Sequence, residues 1–183
     1  MSEPIADPEV GLLASIAATL KGDYVVEGAA DPWAGSPFGW IRYLPSRQRG
    51  KIGEQLVSGW CAAKGLNVTA SGNSEADRVI GGRRMEIKFS TLWKSGIYMF
   101  QQIRDQDYEY LVCLGVSPFA AHAWLMSKPL LLDYVIGHTP QDTGAGGTDT
   151  FWVSVTVGQP KAWLAQCGGT LSDVFALLQA IAL

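Results

Sequence analysis

The feature of the sequence that most limits its fold is a nearly continuous apolar run, Tyr110 to Val116 (YLVCLGV). A strand of this kind is typical of a sheet covered on both faces, because a sheet with one face in water alternates apolar and polar residues. We therefore predict that this strand lies near the centre of a sheet with layers packed on both sides. A chain of 183 residues with 48% hydrophobic residues has enough apolar material for such a core.

Helix and strand patterns surround this central strand. Residues 50–64 carry apolar side chains at helical spacing, and the glycine that follows, Gly65, favours a helix C-terminus. The pair Gly81-Gly82 separates two short strand patterns and indicates a hairpin turn. Further strands are predicted at 66–70, 78–80, 84–89, 121–126 and 151–157, and further helices at 8–21, 129–136 and 171–183.

The fold class that buries all these faces is α/β, with a single domain in which a central mixed β-sheet is flanked by helices on both sides. We expect one domain over residues 1–183. Its expected parts are an N-terminal helix and linker at 1–49, a catalytic core at about 50–126 and a C-terminal elaboration at 127–183. The linker is rich in Gly, Pro and aromatic residues, and we expect Trp33, Phe38 and Trp40 to pack it.

The cysteines and the N-terminus bear on the compartment. Cys61, Cys113 and Cys167 show no C-x-x-C spacing, so we expect buried free thiols in a reducing environment. The N-terminal sequence MSEPIADPEV lacks the basic and apolar segments of a secretory signal. No apolar run approaches the roughly 20 residues of a membrane helix. We therefore expect a cytoplasmic protein without a membrane partner.

The net charge of −3 hides an asymmetry along the chain. Eleven of the 14 Lys and Arg residues lie between Arg42 and Arg104, against four acids, so this segment has a net charge of +7. Such a segment can supply phosphate contacts even in an acidic protein, because binding responds to the local field rather than to the total charge. The competing interpretation is an ordinary solvated surface.

The segment from Ser74 to Ser90 (SEADRVIGGRRMEIKFS) contains the candidate chemistry. Glu86 and Lys88 are two residues apart on a predicted strand, so both face the same side of the sheet while their apolar neighbours face the other. The hairpin brings Asp77 back beside Glu86. Two carboxylates this close would repel each other unless a divalent cation lay between them, and oxygen ligands suit Mg²⁺ or Mn²⁺.

This set of groups suits the hydrolysis of a phosphodiester. A bound divalent cation polarises the phosphate and lowers the pKa of a bound water. Lys88, on the same face as the acids, would orient or deprotonate the attacking water and stabilise the negative charge of the transition state.

Together these residues resemble the PD-(D/E)xK nuclease superfamily, in which an acid precedes a β-hairpin and a Glu or Asp, an apolar residue and a Lys follow. Asp77, Glu86 and Lys88 match that pattern, and Ala76 stands where a proline often precedes the first acid. In many members an acid on the preceding helix also reaches the metal. Glu54, in GKIGE, occupies the matching place.

The resemblance, which covers about residues 50–126, implies an Mg²⁺-dependent DNA endonuclease similar to Type II restriction enzymes. Asp77, Glu86 and Glu54 would be the metal ligands, with Mn²⁺ as a substitute metal. Double-stranded DNA would be the partner, and a homodimer is expected because cutting both strands of a symmetric site needs two active sites. The residues expected to contact DNA are Arg78, Arg83, Arg84, Lys94, Gln101, Gln102 and Arg104.

Several alternatives stay open at this point. The three hairpin arginines also suit a solvated turn, and Trp93 beside Lys94 suits plain packing of a loop as well as contact with DNA. A structure-selective repair or recombination nuclease would use the same scaffold. A DNA-binding module that had lost catalysis would keep the fold alone. RNA cleavage is a further alternative.

Overall fold

The structure, a computed structural model, describes residues 31–72, 74–141 and 149–183. The chain divides into two units, Met1–Ala34 and Gly35–Leu183, and the second contains all the described helices and strands. The helix predicted at 8–21 lies outside the described residues. No helix within the described ranges is long and apolar enough to cross a membrane.

The second unit contains three α-helices, two 3₁₀ helices and eight strands among its described residues. The α-helices are α1 (Ser46–Ala63), α2 (Lys128–Tyr134) and α3 (Leu171–Ile181), and two 3₁₀ helices span Gly39–Tyr43 and Ala162–Cys167. The strands are β1 (Val68–Ala70), β2 (Arg78–Ile80), β3 (Arg83–Thr91), β4 (Ile97–Ile103), β5 (Tyr110–Val116), β6 (Ala121–Ser127), β7 (Phe151–Thr156) and β8 (Gly168–Gly169).

The main sheet has six strands in the order β1-β2-β3-β5-β6-β8. Strands β3 and β5 run parallel, whereas the other neighbours are antiparallel, so the sheet is mixed. The apolar strand β5 lies between β3 and β6, and its burial on both faces explains why its sequence does not alternate. The prediction that it lies near the sheet centre is confirmed.

A layer covers each face of this sheet. Helices α1 and α3 pack on one face, where Val57 and Leu178 meet Met85, Ile87 and Val112. On the opposite face, β4 and β7 form a separate two-stranded ribbon that packs with α2 against the inward residues of β5 and β6. The predicted fold class, a central mixed sheet with helices on both sides, is confirmed.

Two local signals in the sequence correctly predict the ends of elements around β3. Gly81 and Gly82 adopt φ values of 58° and 80°, the left-handed conformation that a tight hairpin turn requires and that glycine adopts without steric cost. Helix α1 ends before Gly65, whose φ of 89° lets its N–H bond to the carbonyl of Ala62. The hairpin that carries the candidate acids is therefore fixed locally.

Strand β4 departs from the sequence-based expectation, because no strand was predicted at 97–103. Strand β7, expected in the main sheet, pairs with β4 instead. The pattern of β4 is hidden by a register shift between Phe100 and Ile103, where Gln101 and Gln102 are both exposed.

The structure differs from the predictions at two further places, both on the N-terminal side of the core. The cysteines agree with the prediction. Helix α1 begins at Ser46, before the predicted residue 50, directly after Pro45, which ends the preceding segment. The expectation that Trp40 packs the linker is wrong, since its side chain is 56% exposed. The cysteines are buried and free, as expected.

Candidate active site

The candidate site forms where one edge of β3 loses its neighbouring strand. Pairing between β2 and β3 ends with Arg78 opposite Met85. Beyond that pair, the N–H of Asp77 bonds to the carbonyl of Met85 at 2.9 Å, and Oδ2 of Asp77 accepts the N–H of Ile87 at 2.8 Å. The carboxylate of Asp77 therefore replaces a backbone partner at the open edge, which fixes its position.

Glu86 and Lys88 project from the same face of β3, as the two-residue period predicts. Nζ of Lys88 donates to Oε1 of Glu86 at 2.6 Å. Only 8% of Glu86 is exposed, and burial raises the pKa of this carboxyl. The ammonium of Lys88 lowers that pKa, whereas the nearby carboxylate of Asp77 and, more weakly, that of Glu54 raise it further. The site therefore concentrates negative charge that a cation would relieve.

Glu54 reaches this site from α1. The helix approaches β3 closely because Gly53 faces Phe89 and has no side chain. Oε2 of Glu54 lies 3.5 Å from Nη2 of Arg78, whose Nη1 donates to the carbonyl of Asp77 at 2.6 Å. Arg78 thus connects the side chain of Glu54 to the backbone of Asp77.

Glu54, Asp77 and Lys88 line one pocket of about 310 Å³ at the open edge of β3. Lining residues that matter for its chemistry are Arg49, Glu54, Asp77, Lys88, Gln101 and Gln102. Glu86 does not line it, and its link to the pocket is the ion pair with Lys88. Asp77 and Lys88, both half-buried, therefore face a bound molecule directly, and Glu86 lies next to Lys88 just outside the lining.

The oxygen donors of the pocket fit a hard divalent cation. Across residues 31–72, 74–141 and 149–183, no three Asp, Glu, His or Cys side chains come together as a metal cluster. Mg²⁺ does not require such a cluster, because it keeps several waters and is usually held by one or two carboxylates together with substrate phosphates. Asp77 and Glu86, whose charges act on each other, would be those carboxylates.

Some of the residues predicted to contact DNA line a cavity, whereas others bond to groups of the protein itself. Gln101 and Gln102 line the pocket, and Lys94 lines a depression beside it. Arg83 bonds to Glu109 and to the carbonyl of Ile181, which ties the hairpin to the end of α3.

Two further arginines in that prediction also have acidic partners. Nη2 of Arg84 donates to Oδ1 of Asp107 at 3.0 Å, and Nε of Arg104 lies 3.7 Å from Oδ2 of Asp149. The structure does not bring Arg83, Arg84 or Arg104 to the lining of the pocket. Their predicted contacts with DNA stay predictions.

Sequence reasoning missed a residue that positions the pocket wall. Oγ of Ser90 accepts the N–H of Met99 at 3.0 Å, which joins β3 to β4 just before the exposed glutamines. The available signal was the two-residue period, since Ser90 follows Lys88 on the same face of the strand. Gln102 has φ of 57°, unusual for a residue other than glycine, and its N–H bonds to Oε1 of Gln141.

Comparison with known proteins finds matches among solved structures. No family model and no curated protein matches the sequence. Among solved structures, the bacterial homing endonuclease I-Ssp6803I matches 74% of this chain and 93% of that chain, with a TM-score of 0.49 and 14% sequence identity. A likeness this weak establishes neither family nor activity, so the function is inferred from the geometry of the site.

Proposed function

We propose that the chain is a metal-dependent DNA endonuclease that hydrolyses phosphodiester bonds with Asp77, Glu86 and Lys88. The observation that carries this proposal is the arrangement at the open edge of β3. There, Asp77 is fixed on the N–H of Ile87, and Lys88 contacts the buried Glu86. A structural ion pair alone would not need a second carboxylate held beside it at the surface of a pocket.

The chain's own groups have distinct roles in this proposal. Mg²⁺, or Mn²⁺ in its place, would polarise the phosphate and lower the pKa of a bound water. Asp77 and Glu86 supply carboxylate oxygens for that cation. An ammonium has three N–H donors, of which Glu86 accepts one, so Lys88 can also hold the attacking water or a phosphate oxygen.

Glu54 completes the acidic set. It lines the same pocket and lies within ion-pair distance of Lys51 and Arg78. Glu54 would supply a third carboxylate for the cation, either directly or through one of the waters that Mg²⁺ keeps. Its contact with Arg78 then links metal binding to the position of Asp77.

The finer parts of the proposal are a Type II restriction specificity for double-stranded DNA and a homodimeric assembly. Both are supported by the resemblance of Asp77, Glu86 and Lys88 to the PD-(D/E)xK pattern. A single copy with one active site would nick one strand, so two copies would be needed to cut a symmetric site.

The first experiment is cleavage of plasmid and phage DNA with Mg²⁺, with Mn²⁺ and with EDTA. We expect cleavage with either metal and none with EDTA. Lys88→Ala should lower the rate by at least about a hundredfold, the range of general acid and base catalysis. Lys64→Ala, at the far end of α1, is the matched control and should cut normally. Cleavage that persists in EDTA, or in folded Lys88→Ala, would contradict the proposal.

A panel of substrates tests the finer specificity. Discrete fragments from plasmid DNA would support a restriction-type enzyme, and preferential cutting of branched DNA would support a structure-selective nuclease. Cleavage of RNA but not of DNA of the same sequence would remove DNA as the substrate class.

A further inference from the structure

A second depression, of about 540 Å³, lies beside the catalytic pocket. The two cavities share Arg49 and Trp93 in their linings, so a molecule that extends out of the pocket would enter the depression. Its other charged lining residues are Arg42 and Lys94. Among the described residues, no acidic side chain lines it, which favours an anionic occupant.

The cations of this depression come from separate parts of the chain. Arg42 lies in the last turn of the 3₁₀ helix Gly39–Tyr43, and its guanidinium lies 5.7 Å from the centre of the Tyr43 ring. Arg49 lies in the first turn of α1, where Nη2 donates to Oγ of Ser46. Lys94 is exposed in the turn between β3 and β4. In the described part of the chain, neither Arg49 nor Lys94 forms an ion pair.

An aromatic ring is presented among these cations. Trp93 is 49% exposed, although its backbone is fixed by hydrogen bonds, from its N–H to the carbonyl of Ile97 and from the N–H of Gly96 to its own carbonyl. A large apolar ring held in this way on a charged surface remains available for contact. Exposed aromatic faces beside cations are typical of surfaces on which unpaired bases stack while phosphates meet the positive charges.

We propose that this depression binds unpaired nucleotides that flank the scissile phosphate, with one base stacked on Trp93 and the phosphates on Arg42, Arg49 and Lys94. The inference rests on the proposed nuclease function, because it takes the catalytic pocket as the site of the cut. Paired bases lie inside a duplex and cannot stack on a protein ring without being extruded. DNA with a single-stranded segment next to the cut, such as a flap or an overhang, should therefore bind more tightly than a continuous duplex. That result would favour the structure-selective nuclease over the restriction-type enzyme.

Binding is measured by fluorescence anisotropy of labelled oligonucleotides with the full chain. EDTA is present, so that the proposed metal-dependent cleavage does not occur. We expect a duplex with a single-stranded overhang to bind more tightly than a blunt duplex of the same length. Trp93→Ala should weaken binding of the overhang substrate about tenfold, in the range measured for stacked bases. Trp93→Phe, which keeps an aromatic face, should restore most of the affinity.

The controls separate stacking and charge from general damage. Tyr134→Ala removes an aromatic side chain, 45% exposed, that lies on α2 and lines neither cavity. It should leave binding unchanged. Lys94→Ala should weaken binding of every DNA and lower its dependence on salt, whereas Lys64→Ala should do neither. Equal affinity for overhang and blunt DNA, or an unchanged affinity of Trp93→Ala, would overturn the inference.

The two proposals fail in different ways. If the depression binds overhangs through Trp93 but no DNA is cut with any metal, the inference about the surface stands and the nuclease proposal fails. If DNA is cut but Trp93→Ala binds and cuts as the unaltered chain does, the nuclease proposal stands and this inference fails.

Discussion

At the scale of single residues, Asp77 has two roles that substitution can separate. One carboxylate oxygen accepts the N–H of Ile87 and stabilises the open edge of β3. The negative charge of the same group is what the proposed metal needs. An amide side chain has an oxygen of the same reach but no charge, so the structural role and the chemical role respond to different substitutions.

We predict that Asp77→Asn keeps the stability of the fold and loses metal-dependent cleavage. Asp77→Ala should lose cleavage and also cost about 1 to 2 kcal/mol, because the N–H of Ile87 is left without this acceptor. Urea unfolding in EDTA measures the stability, and plasmid cleavage measures the activity. If Asp77→Asn cut DNA at the normal rate, Asp77 would have a structural role only.

Glu109 supports the N-terminal end of β3 and gives a pH dependence of known sign. The backbone N–H of Arg84 and the side chain of Arg83 hold the pKa of this carboxyl below its ordinary value of 4.5. A lowered pKa means that the interaction stabilises the folded state above about pH 4.5. Its contribution is lost as the pH falls through the lowered pKa of the folded state.

We therefore predict that Glu109→Gln destabilises the protein at pH 7 by roughly 1 kcal/mol, a small value because the side chain is 29% exposed and solvent screens the pair. The difference from the unaltered chain should shrink as the pH falls below about 4.5. Thermal unfolding at a series of pH values measures it. Asp133→Asn, an exposed acid on α2, is the control and should show no such trend. A difference that stays constant to pH 3 would exclude the ionic contribution.

At the scale of elements, the contact between α1 and β3 sets the shape of the site. A β-carbon on Gly53 would lie 2.3 Å from Cβ of Phe89, much closer than two carbons can approach. Gly59, on the same helix, has open space around the corresponding position. The two positions therefore differ in packing, although glycine lowers the stability of the helix to a similar extent at both.

We predict opposite effects for alanine at these two positions. Gly53→Ala should destabilise the fold by about 1 to 3 kcal/mol, because the helix must move away from the strand, and cleavage should fall as Glu54 moves with it. Gly59→Ala should stabilise by about 0.5 to 1 kcal/mol, since alanine favours helix. Chemical denaturation of both variants measures these changes. Equal stabilisation by both alanines would show that α1 does not pack against Phe89.

The elements also show what the sequence could and could not predict. Periodicity located α1, β3 and β5 because each buries a continuous stripe or face against its neighbours. The hairpin glycines placed Asp77 beside Glu86. Strand β4 was missed because its short apolar run, residues 97–100, stops at Gln101 and Gln102, and a bulge there is stabilised by a contact with distant Gln141. No local pattern contains that long-range contact.

At the scale of the whole molecule, the basic segment contains fewer available charges than its sequence indicates. Eleven Lys and Arg residues lie between Arg42 and Arg104, but the structure pairs several of them with acids. Among the described residues, those paired with acids include Lys51, Arg78, Arg83, Arg84, Lys88 and Arg104. Two of these acids lie within the segment, Asp107 and Glu109 lie just beyond its end, and Asp149 lies far beyond it. A charge count over the segment alone could not anticipate the pairing.

This pairing leads to a prediction for the salt dependence of binding to single-stranded DNA. Each phosphate neutralised on a single strand contributes about −0.7 to the slope of log K against log salt concentration. If Arg42, Arg49 and Lys94 make the contacts, the slope should be about −2. Contacts by all eleven basic residues would give about −8. Anisotropy titrations between 50 and 300 mM salt, about a sixfold range, resolve these two values. A slope of about −8 would mean that DNA displaces the ion pairs of the hairpin. Arg83 and Arg84 would then contact DNA directly.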